Sequence, residues 1–369
     1  MKIIKSETSK IVNKYPVHYL FEKERLLFLD IETTGLSAVT SSVFLIGCAY
    51  QDKESNVTEI QFFAENPSEE KQLLISFFLF AADYDHFVTY NGNRFDIPFL
   101  EKRCRKNSLS YDFSSFSMTD LYKCIKPYGK ILKLTDLKQK TVEICMNIQR
   151  EDELSGRELI QLYDSYTKTQ DDSCLRKILL HNFDDVYGVI KLLPLLAYHD
   201  LFSGKISADK VIINTYKDIN SLEHEELIID FSSEIPVPQS ISYGYNDCYL
   251  HADGTLGKLR VGIFSGELRY YYPDFKNYYY LPYEDMAIHK SVARYVSTDS
   301  REPATQADCY IKKSGVFLPE WQELKTPVFR IDSEDPRMYF EITDILNPDM
   351  KFYSEYAIHI LDMLFRSSK

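Results

Sequence analysis

The sequence predicts an α/β domain over residues 1–200, a mixed sheet flanked by helices, followed by a smaller α+β domain over 201–369. Three observations carry this reading. Short apolar runs between Leu26 and Phe63 succeed one another closely. Helix-like segments interleave with further strands up to Leu196, the pattern of a mixed sheet with helical layers. Near residue 200 the texture changes, and Tyr, Phe, Gly and turn residues dominate from there on. A chain of 369 residues is long for one domain, and 44% apolar residues suffice for a sizeable core.

The elements follow in order. Leu26–Asp30 is a short apolar run, hence a strand, and Thr33-Thr34-Gly35 is turn chemistry. Val43–Tyr50 is a second apolar strand and Thr58–Phe63 an alternating third, so the three suggest an antiparallel meander. Glu69–Ala82 reads as a helix opened by Pro67-Ser68, with acids in its first turn. Phe87–Tyr90 is a strand closed by Asn91-Gly92, and Phe95–Lys106, Gly156–Tyr166 and Cys174–Leu196 read as helices. In the second part, Tyr243–His251 and Leu256–Phe264 flank Ala252-Asp253-Gly254, a hairpin signal. Glu267–Tyr272, Tyr278–Leu281, Val316–Leu318, Val328–Ile331 and Met338–Ile342 are strand candidates. Asp285–Val296 and Ser354–Phe365 are helix candidates.

Composition narrows the function classes. No run of 18 apolar residues exists, so no membrane span is expected, and MKIIKSETSKIVNKYP lacks the apolar stretch of a secretory leader. Seven scattered cysteines without a CxxC read as reduced thiols of a cytoplasmic protein. The net charge of −12 argues against nucleic acid globally. Yet Lys102–Lys140 holds ten Lys/Arg against three acids, either a phosphate track or a solvated helix face.

The chemistry starts at Leu26–Leu36, LLFLDIETTGL. Side chains alternate along a strand, so Asp30 and Glu32 share a face. Two adjacent carboxylates at the end of a buried strand repel each other. Either the strand runs out into solvent or a hard divalent cation joins them. Asp96, after a strand and turn, is a helix-capping acid or a third ligand. His181 and Asp185 lie four apart on one helix face, whereas Asn182 and Asp184 point elsewhere.

Taken together, FLDIETTGL, TYNGNRFDIPFL and HNFDDV resemble the three motifs of the DEDD (DnaQ-like) 3′-5′ exonucleases, whose fold is ribonuclease H-like. The second motif is most similar to family B polymerase proofreading domains, and residues 20–200 as a whole to bacterial YprB-like domains. The resemblance implies that Asp30, Glu32, Asp96 and Asp185 hold two Mg²⁺ or Mn²⁺ ions for phosphodiester hydrolysis at single-stranded DNA or RNA 3′ ends. It implies that His181 orients or deprotonates the attacking water, although His181 stands at the four-residue spacing of the Tyr subclass. Thr33, Thr34 and Leu36 then face the terminal nucleotide. Asn91 positions it or merely serves a turn, and Phe95 stacks on it or merely packs in the core. A structure-specific endonuclease and a non-catalytic nucleic-acid or protein binding module remain alternatives on the same fold.

Residues 201–369 carry no motif and hold 18 basic against 26 acidic residues, which leaves protein partners open. Its most distinctive stretch, Pro273–Lys313, interleaves tyrosines with His289, Lys290, Arg294 and Arg301, either a stacking platform or a Tyr-rich core.

Overall fold

The computed structural model describes residues 1–8, 15, 25–51, 56–342 and 347–369, so much of the N-terminal stretch read for a leader lies outside the described residues. The chain divides into two compact units, Met1–His199 with Ile235–Gln239, and Asp200–Glu234 with Ser240–Lys369.

The first unit is built on a six-stranded sheet of β1 (Lys2–Thr8), β2 (Leu26–Thr33), β3 (Val43–Gln51), β4 (Val57–Phe63), β5 (His86–Thr89) and β6 (Ser117–Asp120). The strand order is β1-β4-β3-β2-β5-β6. Pairing is antiparallel from β1 through β2 and parallel from β2 through β6. The expected meander is therefore present, and β2 sits where the sheet changes direction. Such a point leaves a crevice beyond the strand end, where α/β proteins commonly place their sites. Alternation sets the faces of β2: Leu27, Leu29 and Ile31 enter the core that includes Phe62, Phe77, Phe87 and Phe99.

Helices α1 (Glu70–Ala81) and α2 (Asp96–Lys106) follow β4 and β5. The short helices α3 (Leu121–Ile125) and α4 (Gln139–Cys145) precede α5 (Gly156–Thr169) and α6 (Asp172–Leu192). Helix α5 starts with a Ser155/Glu158 capping box and α6 with Asp171 accepting from the Ser173 N–H, so the sequence fixes both N-termini. Phe44, Phe63, Leu159, Tyr163, Tyr166 and Ile178 form a second apolar cluster. Strand β1 was not read from the sequence. Its Lys-, Ser- and Glu-containing run holds no continuous apolar signal, and among the described residues it pairs with β4 alone, as an edge.

The second unit opens after α7 (Ala197–Phe202) with β7 (Ile206–Lys217), β8 (Glu223–Tyr245) and β9 (Cys248–Gly262) in one sheet. A second sheet holds β10 (Phe264–Tyr271), β14 (Tyr310–Glu320) and β15 (Met338–Glu341). A third holds β11 (Tyr278–Leu281), β12 (Met286–His289) and β13 (Glu302–Pro303). Helix α8 (Lys290–Ala293) follows β12, and α9 (Met350–Ser367) closes the described chain.

Three sequence expectations fail here. No turn forms at Ala252-Asp253-Gly254. Cys248, Leu250 and Ala252 keep one buried face, β9 runs straight through, and Gly254 takes φ +55° within it. The chain instead reverses at Asn246-Asp247, with Asn246 at φ 51°. Asp285–Val296 is not one helix, because Met286–His289 pairs with β11 and only Lys290–Ala293 is helical. Asp285, at φ 50°, makes that turn and is held by Lys312, Tyr280 and Tyr310. Val328–Ile331 contributes isolated bridges rather than a strand.

In and beside Pro273–Lys313 the tyrosines divide: Tyr272 and Tyr278 stack at 4.4 Å and pack with Ala287, Ala304 and Cys309, whereas Tyr279 lies under Lys290 and Arg301 and Tyr283 and Tyr295 are exposed. Among the described residues no helix is long and apolar enough to cross a membrane.

Candidate metal centre

Asp30 and Glu32 project from the same face of β2, two residues apart near its C-terminal end. Asp96 opens α2, is 5% exposed, and its Oδ1 accepts the Ile31 N–H at 3.2 Å. Helix α6 contributes His181 and Asp185 one turn apart. The ligand atoms of Glu32, His181 and Asp185 all lie within 4.8 Å of one another. His181 Nε2 is 3.3 Å from Asp185 Oδ2 and 3.6 Å from Glu32 Oε1.

The electrostatics bind the other two acids to this group. Burial, then the charges of Asp185, Glu32 and Asp96, push the Asp30 carboxyl well above the ordinary carboxylate range, while the Asn182 amide pulls the other way. Burial and then Asp185, Asp96 and Asp152 do the same to Glu32, opposed by Arg150. Asp96 is pushed up to about 7, chiefly by burial, against the N–H bonds of its own residue and Ile31. Mutually repelling, partly buried oxygen donors with one imidazole are the donor set that a hard divalent cation relieves, so the residues fit such an ion.

Several residues of the site escaped sequence reasoning. Asn182 does not point elsewhere: fully buried, it donates through Nδ2 to Asp30 Oδ2 at 2.9 Å and accepts from Gln61 at 3.1 Å. Helix α6 lies so close to β3 at this level that a Cβ on Gly47 would fall 2.0 Å from Asn182 Oδ1. Asp152, from the loop before α5, places Oδ2 2.7 Å from His181 Nδ1. Burial alone would raise its pKa, but the Leu154 N–H and the charges of His181 and Lys140 hold it below the ordinary value. An ionised carboxylate only accepts, so Nδ1 carries the proton and Nε2 faces Glu32 and Asp185. Asp184 accepts the N–H groups of Glu151 and Asp152, both at 2.8 Å, and so pins that loop. Arg150, 10% exposed, bonds Asp185 Oδ1 at 2.6 Å and Glu143 Oε2 at 3.0 Å. The only sequence trace of this loop is the charge run Arg150-Glu151-Asp152.

Of the residues expected at the substrate, Asn91 lines a cavity of about 490 Å³ together with Asp30, Asp185, Tyr90, Tyr122 and Lys138. Asn91 sits at φ 63° and its N–H is fixed by Asp120 at 2.8 Å. Phe95 packs against Phe99 at 5.5 Å and against the main core while staying partly exposed. The Thr33 hydroxyl donates to Gly35 O and the Thr34 hydroxyl accepts the Ser42 N–H, which commits both to the turn. Leu36 is 88% exposed and does not line this cavity. Within the basic stretch, Arg103 is no phosphate contact: it is buried and bonded twice to Glu70, at 2.7 and 2.6 Å.

Residues 27–197 match the sequence model of the RNase_H superfamily. Over 180 residues the chain is 33% identical to the uncharacterised protein YprB of Bacillus subtilis, a match covering 47% of this chain and 42% of that protein. The chain thus spans less than half of that relative's length. A family B DNA polymerase of Pyrobaculum calidifontis superposes with a TM-score of 0.38 at 14% identity, over 67% of this chain and 34% of the polymerase. E. coli exonuclease I, in a complex with a dT13 oligonucleotide, superposes with a TM-score of 0.34 at 14% identity, over 57% and 55% of the respective chains.

Proposed function

We propose that this chain, whose residues 27–197 form a ribonuclease H-like domain of the RNase_H superfamily, is a divalent-metal-dependent nuclease that removes nucleotides from 3′ ends of single-stranded DNA or RNA. The observation that carries the reading is the convergence of Glu32, His181 and Asp185 beside Asp30 and Asp96. The acids come from β2, the start of α2 and the middle of α6, three segments distant in sequence.

Asp30, Glu32, Asp96 and Asp185 would hold Mg²⁺ or Mn²⁺, with two ions as the proposed number. Bound there, the ions would supply Lewis acidity, a more acidic water and compensation of charge at phosphorus. The protein's own groups do the rest. Asp152 fixes the His181 ring, so that Nε2 is held toward the acids, where it takes a proton from water or completes the ligand set. Asn182 fixes the rotamer of Asp30. The cavity beside Asp30 and Asp185 offers Tyr90 and Tyr122 as stacking surfaces, Asn91 as a hydrogen-bonding group and Lys138 as a cation for a terminal nucleotide.

The test is cleavage of 5′-labelled single strands of both sugars, with Mn²⁺ or with EDTA. A ladder shortening from the 3′ end, lost in EDTA and in Asp30→Asn, is the expected result. Internal cuts would favour the endonuclease alternative. Intact strands in Mn²⁺ would leave a non-catalytic module.

A further inference from the structure

Arg150 has no part in the reaction as described, yet it is the most constrained cation at the centre. Among the described residues, the guanidinium and ammonium groups paired with the acids around His181 are Arg150 and Lys140, and the Arg150 side chain is far less exposed, 10% against 42%. Its two ends differ. One is anchored: Nη1 bonds both Glu143 oxygens, at 3.0 and 3.3 Å. Glu143 is 1% exposed and also accepts from Gln139, which in turn donates to the Asp185 carbonyl. Gly188, one turn beyond Asp185 on α6, leaves room for that carboxylate, since a Cβ there would fall 2.0 Å from Glu143 Oε1. The other end makes one short hydrogen bond, Nη2 to Asp185 Oδ1 at 2.6 Å, with Asp152 Oδ2 farther off at 3.8 Å, and Nε is buried without a partner.

We infer that Arg150 is a built-in competitor for the divalent cation: it holds Asp185 in the metal-free protein and yields that oxygen when a cation enters, while staying fixed to Glu143. The inference rests on the reading of the acids as a cation site. Asp185 has one oxygen turned to His181 and the other taken by Arg150, so a cation recruiting this carboxylate meets a positive charge already in place. Losing the Asp185 bond leaves the guanidinium two-fold paired, which keeps the exchange free of a stranded buried charge. Arg150 is thus a positioning residue that sets how much cation the centre requires.

The test is calorimetric titration of the full chain with Mn²⁺ alone, for wild type, Arg150→Gln and Arg150→Lys, each checked for folding by circular dichroism. Removing the charge should tighten Mn²⁺ binding by at least about tenfold in Arg150→Gln. Arg150→Lys should fall between the two, because an ammonium keeps the charge but cannot fork between Glu143 and Asp185. If Arg150→Gln does not fold, Arg150→Lys still decides: binding tighter than wild type supports the competitor, equal or weaker binding overturns it. Weaker Mn²⁺ binding in folded variants means that Arg150 merely braces Asp185. Failure of the wild type itself to bind Mn²⁺ would instead overturn the cation reading beneath the inference.

Discussion

Replacing Asn182 by alanine isolates how the sheet and α6 cooperate. The substitution removes two hydrogen bonds, to Asp30 Oδ2 at 2.9 Å and from Gln61 at 3.1 Å, while Gln61 keeps the Leu179 carbonyl at 2.8 Å. Without metal, burial and its acidic neighbours push the Asp30 carboxyl well above its ordinary range, which favours its neutral form. Two hydrogen bonds between neutral groups are worth together about 1–3 kcal/mol. With Mn²⁺ bound, Asp30 is ionised and its bond to the amide strengthens by about 1 kcal/mol. Asn182→Ala should therefore lower stability in EDTA by about 1–3 kcal/mol in urea unfolding. It should also weaken Mn²⁺ binding by roughly fivefold. Gly47→Ala approaches the same amide from β3, because its Cβ would lie 2.0 Å from Asn182 Oδ1 and Gly47 stands opposite Asp30. Alanine ordinarily favours a strand over glycine by about 0.5–1 kcal/mol, so a loss in Gly47→Ala must come from the displaced amide. Wild-type stability and Mn²⁺ affinity in both variants would refute the role given to Asn182.

Further expectations concern charge and the reaction. Asp96 has a folded pKa of about 7 against an ordinary 3.8, so its contribution to metal-free stability is complete below about pH 4 and is lost as pH rises through 7. A cation replaces those protons; the melting-temperature gain from Mn²⁺, measured by calorimetry, should therefore grow from pH 5.5 to 8, and a pH-independent gain would contradict the assignment. Glu59, 2% exposed with one carboxylate oxygen unpartnered, is pushed up to about 9 by burial and by Asp184. Its stabilising protonation is present below the ordinary 4.5 and progressively lost above it. Glu59→Gln should thus stabilise by up to about 4 kcal/mol at pH 7.5 and by little near pH 4.5, read by urea unfolding at both. Asp30→Asn should lower kcat/KM by several kcal/mol of transition-state stabilisation in a strand-cleavage assay, and wild-type rates in Mn²⁺ would exclude Asp30 as a ligand.

The parts of the site that are legible in the sequence are those governed by local period. Asp30 and Glu32 are read from strand alternation, and His181 and Asp185 from the four-residue step of a helix. The same four-residue rule turns Asn182 away from the acids, whereas it is fully buried and bonds Asp30. Helix α6 buries Cys174, Ile178, His181, Asn182, Asp184, Val186 and Val189, more than one stripe, because it lies across the sheet. Arg150 and Asp152 were invisible because a loop brings them to residues 29 to 35 positions away, with no period to announce it. In the second unit, Asp253-Gly254 reads as a turn by composition, yet the buried face of β9 continues through it, and tertiary packing overrides the local signal. Tyr278 and Tyr280 pack with Tyr272, while Tyr279 lies under Lys290 and Arg301, so composition alone did not separate the tyrosines that pack from those that meet cations.

Nuclease action at this centre requires a divalent cation shared among acids from three segments. Anomalous diffraction from crystals soaked in Mn²⁺ would locate it directly. Density between Glu32 and Asp185, in contact with Asp30, is the predicted result, with the Arg150 guanidinium moved off Asp185. Crystals that take up Mn²⁺ only elsewhere, with Arg150 still on Asp185, would contradict it.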